Sequence, residues 1–306
     1  MAKNIPGNSI SAQDGSLPDN SAQEPEVQSP ARIKFRRFLH NRTAVISAVI
    51  IIAFVLIAIF ARYLAPQDPY QGDPSRRLES PSREFVMGTD QQGRDQLSRV
   101  IYGSRVALTV GALTIAIGMG AGSILGLIAG WFYGRFIDNL IMRLMDLFLA
   151  FPYILLVVAI VSMLGPSMRN AIIAIGVTVI PHFARIVRSV VMGVRDREYV
   201  IAAEALGAGR FRLIVRHVIP NSLAPMIVTT TMYFGRNVLA EATLSFLGLG
   251  IQPPTAAWGT MVAIGREYLR TSPHLGLLPG VVLLLFVYAL NTFGDGLRDV
   301  LDPKVQ

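Results

Sequence analysis

The stretch RDREYVIAAEALGAGRFRLIVRHVIPNSLAP, residues 195–225, lies between two long apolar segments and brings five arginines into an otherwise apolar region. Its first half predicts a short amphipathic helix, because three apolar residues can share one helical stripe: Val200, Ala203 and Leu206. Gly207 and Gly209 should interrupt this helix, since glycine weakens a helix and favours a turn. The stretch is therefore too structured to be a simple connector.

The second half of the stretch predicts another amphipathic helix. Its apolar residues follow the i, i+3, i+4, i+7 spacing of one helical face: Phe211, Ile214, Val215 and Val218. Arg212 and Arg216 form a basic face, and Pro220 should end the helix. Two short amphipathic helices joined by a glycine hinge indicate a surface that fits a groove on a partner protein.

The composition indicates an integral membrane protein. Apolar residues make up 52% of the 306 residues and charged residues only 16%, and the mean hydropathy is +0.48. Soluble domains carry nearer one quarter charged residues. The absence of cysteine excludes disulfides, a thiol nucleophile and cysteine metal sites. The net charge of +8 comes mainly from arginine, which membrane proteins keep on the cytoplasmic side, so we do not expect a nucleic-acid partner.

Six apolar segments are long enough to cross a bilayer, which takes about 20 residues. Residues 1–30 are polar and predict a disordered cytoplasmic tail. Residues 31–105 hold a basic flank, the first transmembrane helix and a long periplasmic loop. Residues 106–306 form a core of five more helices. The predicted spans are residues 44–60, 106–131, 139–164, 171–191, 223–249 and 275–293.

An even number of spans places both termini on one side of the membrane. The basic residues of segment 32–42 and of the arginine-rich stretch 195–225 favour the cytoplasm for that side. The first loop also carries arginines, among them Arg76, Arg77 and Arg83, and these act against this orientation.

Four glycines in the second span recur every four residues, at positions 118, 122, 126 and 130. Such a face lets two helices approach closely. The simpler interpretation is helix packing within one subunit, and the alternative is a face that slides during gating. Gly294 and Gly296 are predicted to end the last helix.

The arginine-rich stretch resembles the cytoplasmic EAA loop of bacterial binding-protein-dependent ABC importers. Ala202, Ala203, Gly207 and Pro220 match the pattern, while Ile201 stands at its glutamate position and His217 at its upstream isoleucine position. The resemblance implies a loop that couples the permease to separate ATPases. The residues that it implicates are Tyr199, Ala202, Ala203, Leu206, Gly207 and Pro220.

Further segments resemble the second, or C-type, permease subunit of the dipeptide, oligopeptide and nickel importers. These segments are GTDQQGRD at 88–95, AFP at 150–152, LSFLGLG at 244–250 and GDGLRD at 294–299. The resemblance implies an all-α fold of six transmembrane helices, like the type I importer permeases, in the bacterial inner membrane. It also implies four kinds of partner: a homologous permease in a heterodimer, two ATP-binding subunits, an external substrate-binding protein and membrane lipid.

The resemblance leaves the cargo open among dipeptides, oligopeptides, glutathione and nickel chelates. No cofactor is expected in this chain, because it lacks the phosphate-binding motif G-x-x-x-x-G-K-[ST] and ATP would be bound by partner subunits. We expect no enzymatic activity and no catalytic or metal-binding residue. A stand-alone secondary transporter is the alternative of a different class, and it would need ion ligands near the middle of the membrane.

Three charged residues within the spans are candidate functional groups, because such residues are rare in membranes and usually paired or functional. Arg143 and Asp146 are three residues apart, so an ion pair within one helix is expected. Glu241 has no obvious partner nearby in the sequence. It is predicted either to face the translocation path, where it could meet a substrate amine, or to form a hydrogen bond between helices.

Overall fold

Helices account for the regular secondary structure of residues 39–301, the part of the chain that the computed structural model describes. The predicted tail, residues 1–30, and most of the basic flank lie outside this part. We number the helices α1 to α11. Their bounds are Arg42–Ile59, Ala61–Leu64, Gln96–Trp131, Phe136–Ala150, Tyr153–Leu164, Met168–Arg195, Glu198–Ala205, Arg210–Leu213, Ile219–Phe246, Trp258–Glu267 and His274–Leu301.

Four of these helices are long and apolar enough to cross a membrane: α1, α3, α6 and α11. The expected third span is not one straight helix. It consists of α4 and α5, which are bent by 94° at Phe151 and Pro152, because proline cannot continue the α4 hydrogen-bond ladder. If this pair is one span, the number rises to five. The remaining expected span corresponds to α9, which is long but less apolar.

The glycine face of α3 packs against α6, which confirms the predicted helix packing. A Cβ atom built on Gly122 would lie 2.6 Å from the carbonyl oxygen of Ile180, and one on Gly130 would lie 2.6 Å from Cβ of Val191. The backbones therefore approach each other more closely than any side chain would allow.

The prediction that Gly294 and Gly296 end the last helix is wrong, since α11 continues to Leu301. Both glycines serve close packing instead. A Cβ atom on Gly294 would lie 2.8 Å from Oγ1 of Thr231, and one on Gly296 would collide with Ala44 of α1. The missing side chains let α11 pack against α9 and α1, and the helix needs no glycine cap at this point.

The loop between α2 and α3 folds back on the helix bundle through a buried carboxylate. Asp90 accepts hydrogen bonds from the backbone amides of Gln92, at 2.8 Å, and Arg94, at 3.0 Å. Its other oxygen lies 2.7 Å from Nε of Arg94 and 3.5 Å from Nε of Arg99. Arg94 and Arg99 are 2% and 1% exposed. One carboxylate therefore compensates two buried guanidinium groups.

This buried group joins the loop to the first turns of α3, which in turn hold the last two helices. Arg99 donates to the backbone carbonyl oxygen of Pro69 at 2.8 Å. The side-chain amide of Gln96 donates to the backbone carbonyl oxygen of Leu275 at 2.9 Å. The Trp258 indole donates to the carbonyl oxygen of Val100 at 2.9 Å. We call this side of the bundle the first-loop end, and the opposite side, which carries α7 and α8, the arginine-loop end.

Candidate functional site

The hinge predicted at Gly207 is confirmed, and its hydrogen bonds form a Schellman motif. The backbone amide of Ala208 donates to the carbonyl oxygen of Ala203 at 3.0 Å. The backbone amide of Gly207 donates to the backbone carbonyl oxygen of Glu204 at 2.9 Å. Gly207 has φ +86°, the left-handed conformation that glycine adopts without strain. Gly209 has φ −67° and begins α8, so Gly207 alone provides the left-handed turn.

The expectation that Pro220 ends the second helix is wrong. Residues 214–218 form a turn of π-helix that leads directly into α9, and Pro220 lies in the first turn of α9. The amide of Ile219 donates to the carbonyl oxygen of Ile214, five residues earlier. The wider π turn accommodates the proline, which has no N–H to donate and whose ring crowds the preceding turn of an α-helix.

The predicted apolar stripes are only partly correct. Val200 and Val218 of the predicted stripes are buried, at 4% and 2% exposure, whereas Val215 is 45% exposed. Leu213, which the predicted stripe does not contain, is buried at 1% exposure. Val200, Leu213 and Val218 pack against α6. Leu206 and Phe211 are instead 90% and 80% exposed. Leu206 lies beyond the last residue of α7, so it leaves the stripe, and the π turn shifts the apolar face of the second half. The exposed pair flanks Gly207 and forms an apolar knob, residues 206–211.

The remaining residues implicated by the EAA resemblance lie before and after this knob in the chain. Tyr199 is 49% exposed, and its ring lies 5.3 Å from that of His217. Ala202 and Pro220 are exposed, whereas Ala203 is partly buried. The structure thus brings the two halves of the motif together at the arginine-loop end, where the ring contact joins them.

Arg143 is not the partner of Asp146 that the sequence predicted. The carboxylate of Asp146 instead lies 2.6 Å from the guanidinium group of Arg185 on α6. Asp138, which sequence reasoning overlooked, pairs with Arg188 through bonds of 2.7 and 2.8 Å. The acidic side chains of α4 meet basic side chains of the antiparallel α6, so the helix–helix contact determines the pairing.

Glu241 is buried, with 4% exposure, and has a local partner that the sequence analysis did not recognise. The hydroxyl of Ser245 donates to its carboxyl group at 2.5 Å and accepts from the amide of Ile251 at 2.9 Å. Glu241 thereby helps to hold the chain where it turns back after α9. Its contribution to the translocation path stays a prediction.

The substitution Glu241→Gln separates the two roles of this carboxyl group. The amide keeps the size and an acceptor oxygen for Ser245, so we expect normal assembly and uptake within about twofold of the parent. The measurement is ATP-dependent uptake into proteoliposomes that contain the whole complex. A fall in uptake with intact assembly would instead support the sequence-based prediction that Glu241 acts in the path.

Arg236 is the exposed charge of α9, and sequence reasoning did not select it. Its guanidinium carbon lies 4.1 Å from the ring centroid of Tyr153 and 5.4 Å from that of Tyr233. The Tyr233 ring in turn lies 4.8 Å from the imidazole of His182. One signal for this group was visible in the sequence, an arginine within an apolar span. The rings around it could not be foreseen, because they come from three different helices.

A cavity of about 370 Å³ opens between α3, α6 and α9 nearer the arginine-loop end. Its walls are almost entirely apolar and include Met119, Leu127, Val187 and Met226. Gly120 leaves one side of it open, because no atom lies within 4 Å of a Cβ placed there. Met226 and Glu241 are separated by about 22 Å along α9 at the rise of an α-helix, so the cavity and the buried carboxyl group are distinct sites.

Comparison with known proteins agrees with this architecture. Residues 122–306 match the family of binding-protein-dependent transport system inner membrane components, and residues 29–81 match the N-terminal TM domain of oligopeptide transport permease C. The fold is similar to that of the MetNI methionine ABC transporter in inward-facing conformations. That match has a TM-score of 0.54 and 20% identity, and covers 67% of this chain and 97% of the other.

Two curated relatives are similar over nearly the whole chain. The dipeptide transport system permease protein DppC of Alkalihalophilus pseudofirmus is 45% identical, with 94% of this chain and 96% of the relative covered. The glutathione transport system permease protein GsiD of Pectobacterium atrosepticum is 38% identical, with 93% and 94% covered. These matches, the helical bundle and the motif around Gly207 lead to one conclusion: the chain belongs to the family of inner membrane components of binding-protein-dependent transport systems.

Proposed function

We propose that this chain is a permease subunit of a bacterial peptide importer and forms half of the translocation path with a second, homologous permease. The observation that carries the proposal is the apolar knob 206–211 on a two-helix segment of a chain whose relative in Alkalihalophilus pseudofirmus is a dipeptide permease. ATP is hydrolysed by two separate subunits, and substrate arrives from an external binding protein.

The knob suits a docking role because large apolar side chains are costly to leave in water. Val200, Leu213 and Val218 anchor the segment to α6, while Leu206 and Phe211 project from it. Closure of the ATPase subunits would move the knob, and the buried anchor would pass this movement to α6 and α9. The bundle would then change between inward-open and outward-open states.

The substitution Gly207→Asp tests this coupling. We expect uptake to fall at least about tenfold, because an aspartate strains the left-handed turn and places a charge in the docking surface. Uptake, subunit co-purification and ATPase activity should be measured on the same purified complex. Gly248→Asp is a matched control, because Gly248 also has a positive φ, +78°, and open space around it. It ends α9 with the same Schellman pair of hydrogen bonds, from Gly248 to Ser245 and from Leu249 to Leu244, but lies at the first-loop end.

The proposal requires that Gly207→Asp impairs transport and Gly248→Asp does not, with each variant of the subunit present in the membrane at the parental amount. Parental uptake with normal coupling of ATP hydrolysis in the Gly207→Asp complex would refute the docking role. Equal losses in both variants would assign the effect to backbone strain alone.

We propose six spans with both termini in the cytoplasm, counting α4 with α5 as one span and α9 as another. A chain without cysteine allows a direct test with single introduced cysteines. Ser80 lies in the first loop and Ala205 at the end of α7, and both are exposed. We expect Ser80→Cys, but not Ala205→Cys, to react in intact cells with a thiol reagent that cannot cross the membrane. The reverse pattern would invert the orientation.

The cargo has one specific alternative, because the GsiD relative of Pectobacterium atrosepticum is a glutathione transport permease. A nickel chelate as cargo is suggested only by the sequence resemblance to the dipeptide, oligopeptide and nickel importers. A stand-alone secondary transporter would act without ATPase partners. Purification under mild conditions distinguishes the classes, since the importer must co-purify with two ATPase subunits and take up peptide only when ATP is supplied.

A further inference from the structure

We propose that Arg236 and the aromatic rings around it form a carboxylate-binding site within the membrane, and that its ligand is the C-terminal carboxylate of a transported peptide. This inference rests on the proposed function and specifies a chemical group that the path recognises. It concerns a residue that the motif resemblance does not implicate.

The first observation is the position of an unpaired cation within α9. Arg236 lies about 26 Å from the first residue of the helix and about 15 Å from its last residue, at 1.5 Å per residue. Among the residues that the structure describes, arginines at five other positions form ion pairs with acids, and Arg236 does not. Exposed arginine at this depth is costly against lipid, so its surface must meet water or another protein.

The second observation is the polarity of the surrounding helix face. Thr229, Arg236 and Thr243 follow each other at intervals of seven residues, which places them on one side of α9. Each threonine hydroxyl donates to the carbonyl oxygen four residues earlier, at 2.8 Å in both cases. The same side of α9 also exposes Met232 and Leu239, at 41% and 49%. Arg236 is therefore the one charge on a mixed face of this helix, and it needs water or a polar partner at that point.

The third observation is that the guanidinium group is held in place by rings. Tyr153 is the first residue of α5, directly after the 94° bend, and its ring lies 4.1 Å from the guanidinium carbon. Tyr233 supplies a second ring from α9 itself, and His182 of α6 lies against Tyr233. These contacts attract the cation without neutralising it.

The chemistry of this arrangement favours a carboxylate. Guanidinium is planar and presents its N–H donors along its edge, where two of them match the two oxygens of one carboxylate. Arg236 also makes a side-chain hydrogen bond to Tyr233, but a guanidinium group has five N–H donors, so others remain for a ligand. A linear peptide with a free C-terminus offers such a carboxylate at neutral pH.

The decisive experiment compares Arg236→Gln and Arg236→Lys with the parent in proteoliposomes that contain both permeases, the ATPases and the binding protein. The probe is one labelled peptide, supplied with a free C-terminus and as its C-terminal amide. We expect Arg236→Gln to lower uptake of the free acid at least about tenfold, because a charge-assisted bidentate contact is lost. Arg236→Lys should retain an intermediate rate, because lysine keeps the positive charge but lacks the paired N–H donors that bind both oxygens of a carboxylate.

Arg266→Gln is the matched control. Arg266 also lies over an aromatic ring, at 4.9 Å from Phe246, and is exposed, but it belongs to α10 near the first-loop end. We expect parental uptake of the free acid in this variant. The loss in Arg236→Gln must therefore come from this position and not from removal of any exposed arginine.

Three results would overturn the site. Parental uptake of the free acid in Arg236→Gln would show that the guanidinium group is not used. Equal losses of uptake for the free acid and the amide would show that the guanidinium group does not recognise the carboxylate. Loss of co-purification with the second permease would assign Arg236 to an ion pair between subunits. If the parent complex itself imports no peptide, the proposed function fails, and this result is distinguishable from all three.

Discussion

Replacing Asp90 by alanine should destabilise this protein by about 3–5 kcal/mol, because it leaves two buried guanidinium groups without a counter-charge. Arg94 and Arg99 are almost completely buried, and Asp90 is the carboxylate that both of them face. The same substitution removes the acceptor for two backbone amides of the loop. The loop should then lose its attachment to α3, with a fall in melting temperature on the order of 10 °C.

Thermal unfolding of the purified complex in detergent measures this effect. Glu84→Ala is the matched control, because Glu84 pairs with Arg76 on the same loop but is exposed. The hydrogen bond from Arg76 holds the pKa of Glu84 below its usual value, yet solvent screens the pair. We expect no measurable shift in the melting temperature of this variant. Similar shifts in both variants would mean that the buried ion group does not stabilise the loop.

The second large effect should come from one added methyl group, in Gly126→Ala. A Cβ atom at this position would overlap the carbonyl oxygen of Ala184 and lie 2.9 Å from Cβ of Val187. Because a backbone oxygen cannot rotate away, α3 and α6 must separate along their glycine contact. We expect a loss of about 1–3 kcal/mol from overpacking, and less mature subunit in the membrane.

Gly120→Ala on the same helix is the control with the opposite expected sign. No atom lies within 4 Å of a Cβ at this position, and alanine favours a helix over glycine by up to about 1 kcal/mol. The melting temperature should therefore rise slightly or stay unchanged in Gly120→Ala and fall in Gly126→Ala. Shifts of the same sign in the two variants would contradict the close-packing interpretation.

Local patterns predicted the features that depend on neighbouring residues in the chain. Gly207 was predicted to form a hinge because glycine weakens a helix and favours a turn. The four-residue glycine repeat of α3 identified its packing face, because residues i and i+4 lie on one side of a helix. The prediction of an Arg143–Asp146 pair used the related i, i+3 spacing. It was wrong, because Asp146 pairs with Arg185 of another helix.

Contacts between distant segments could not be predicted in this way. The sequence indicated a helical membrane protein of the importer-permease type and the position of its arginine-rich loop, because apolar length and motif spacing are properties of contiguous residues. Only the tertiary structure decided that Pro220 lies in the first turn of α9, that Glu241 is buried, and that Tyr153 lies over Arg236. The hydrogen bond between Glu241 and Ser245 spans four residues of one helix, so the i, i+4 spacing could have found it. The burial of Glu241 and the ring contact of Arg236 depend on how helices far apart in the chain pack, because only that packing brings the groups together.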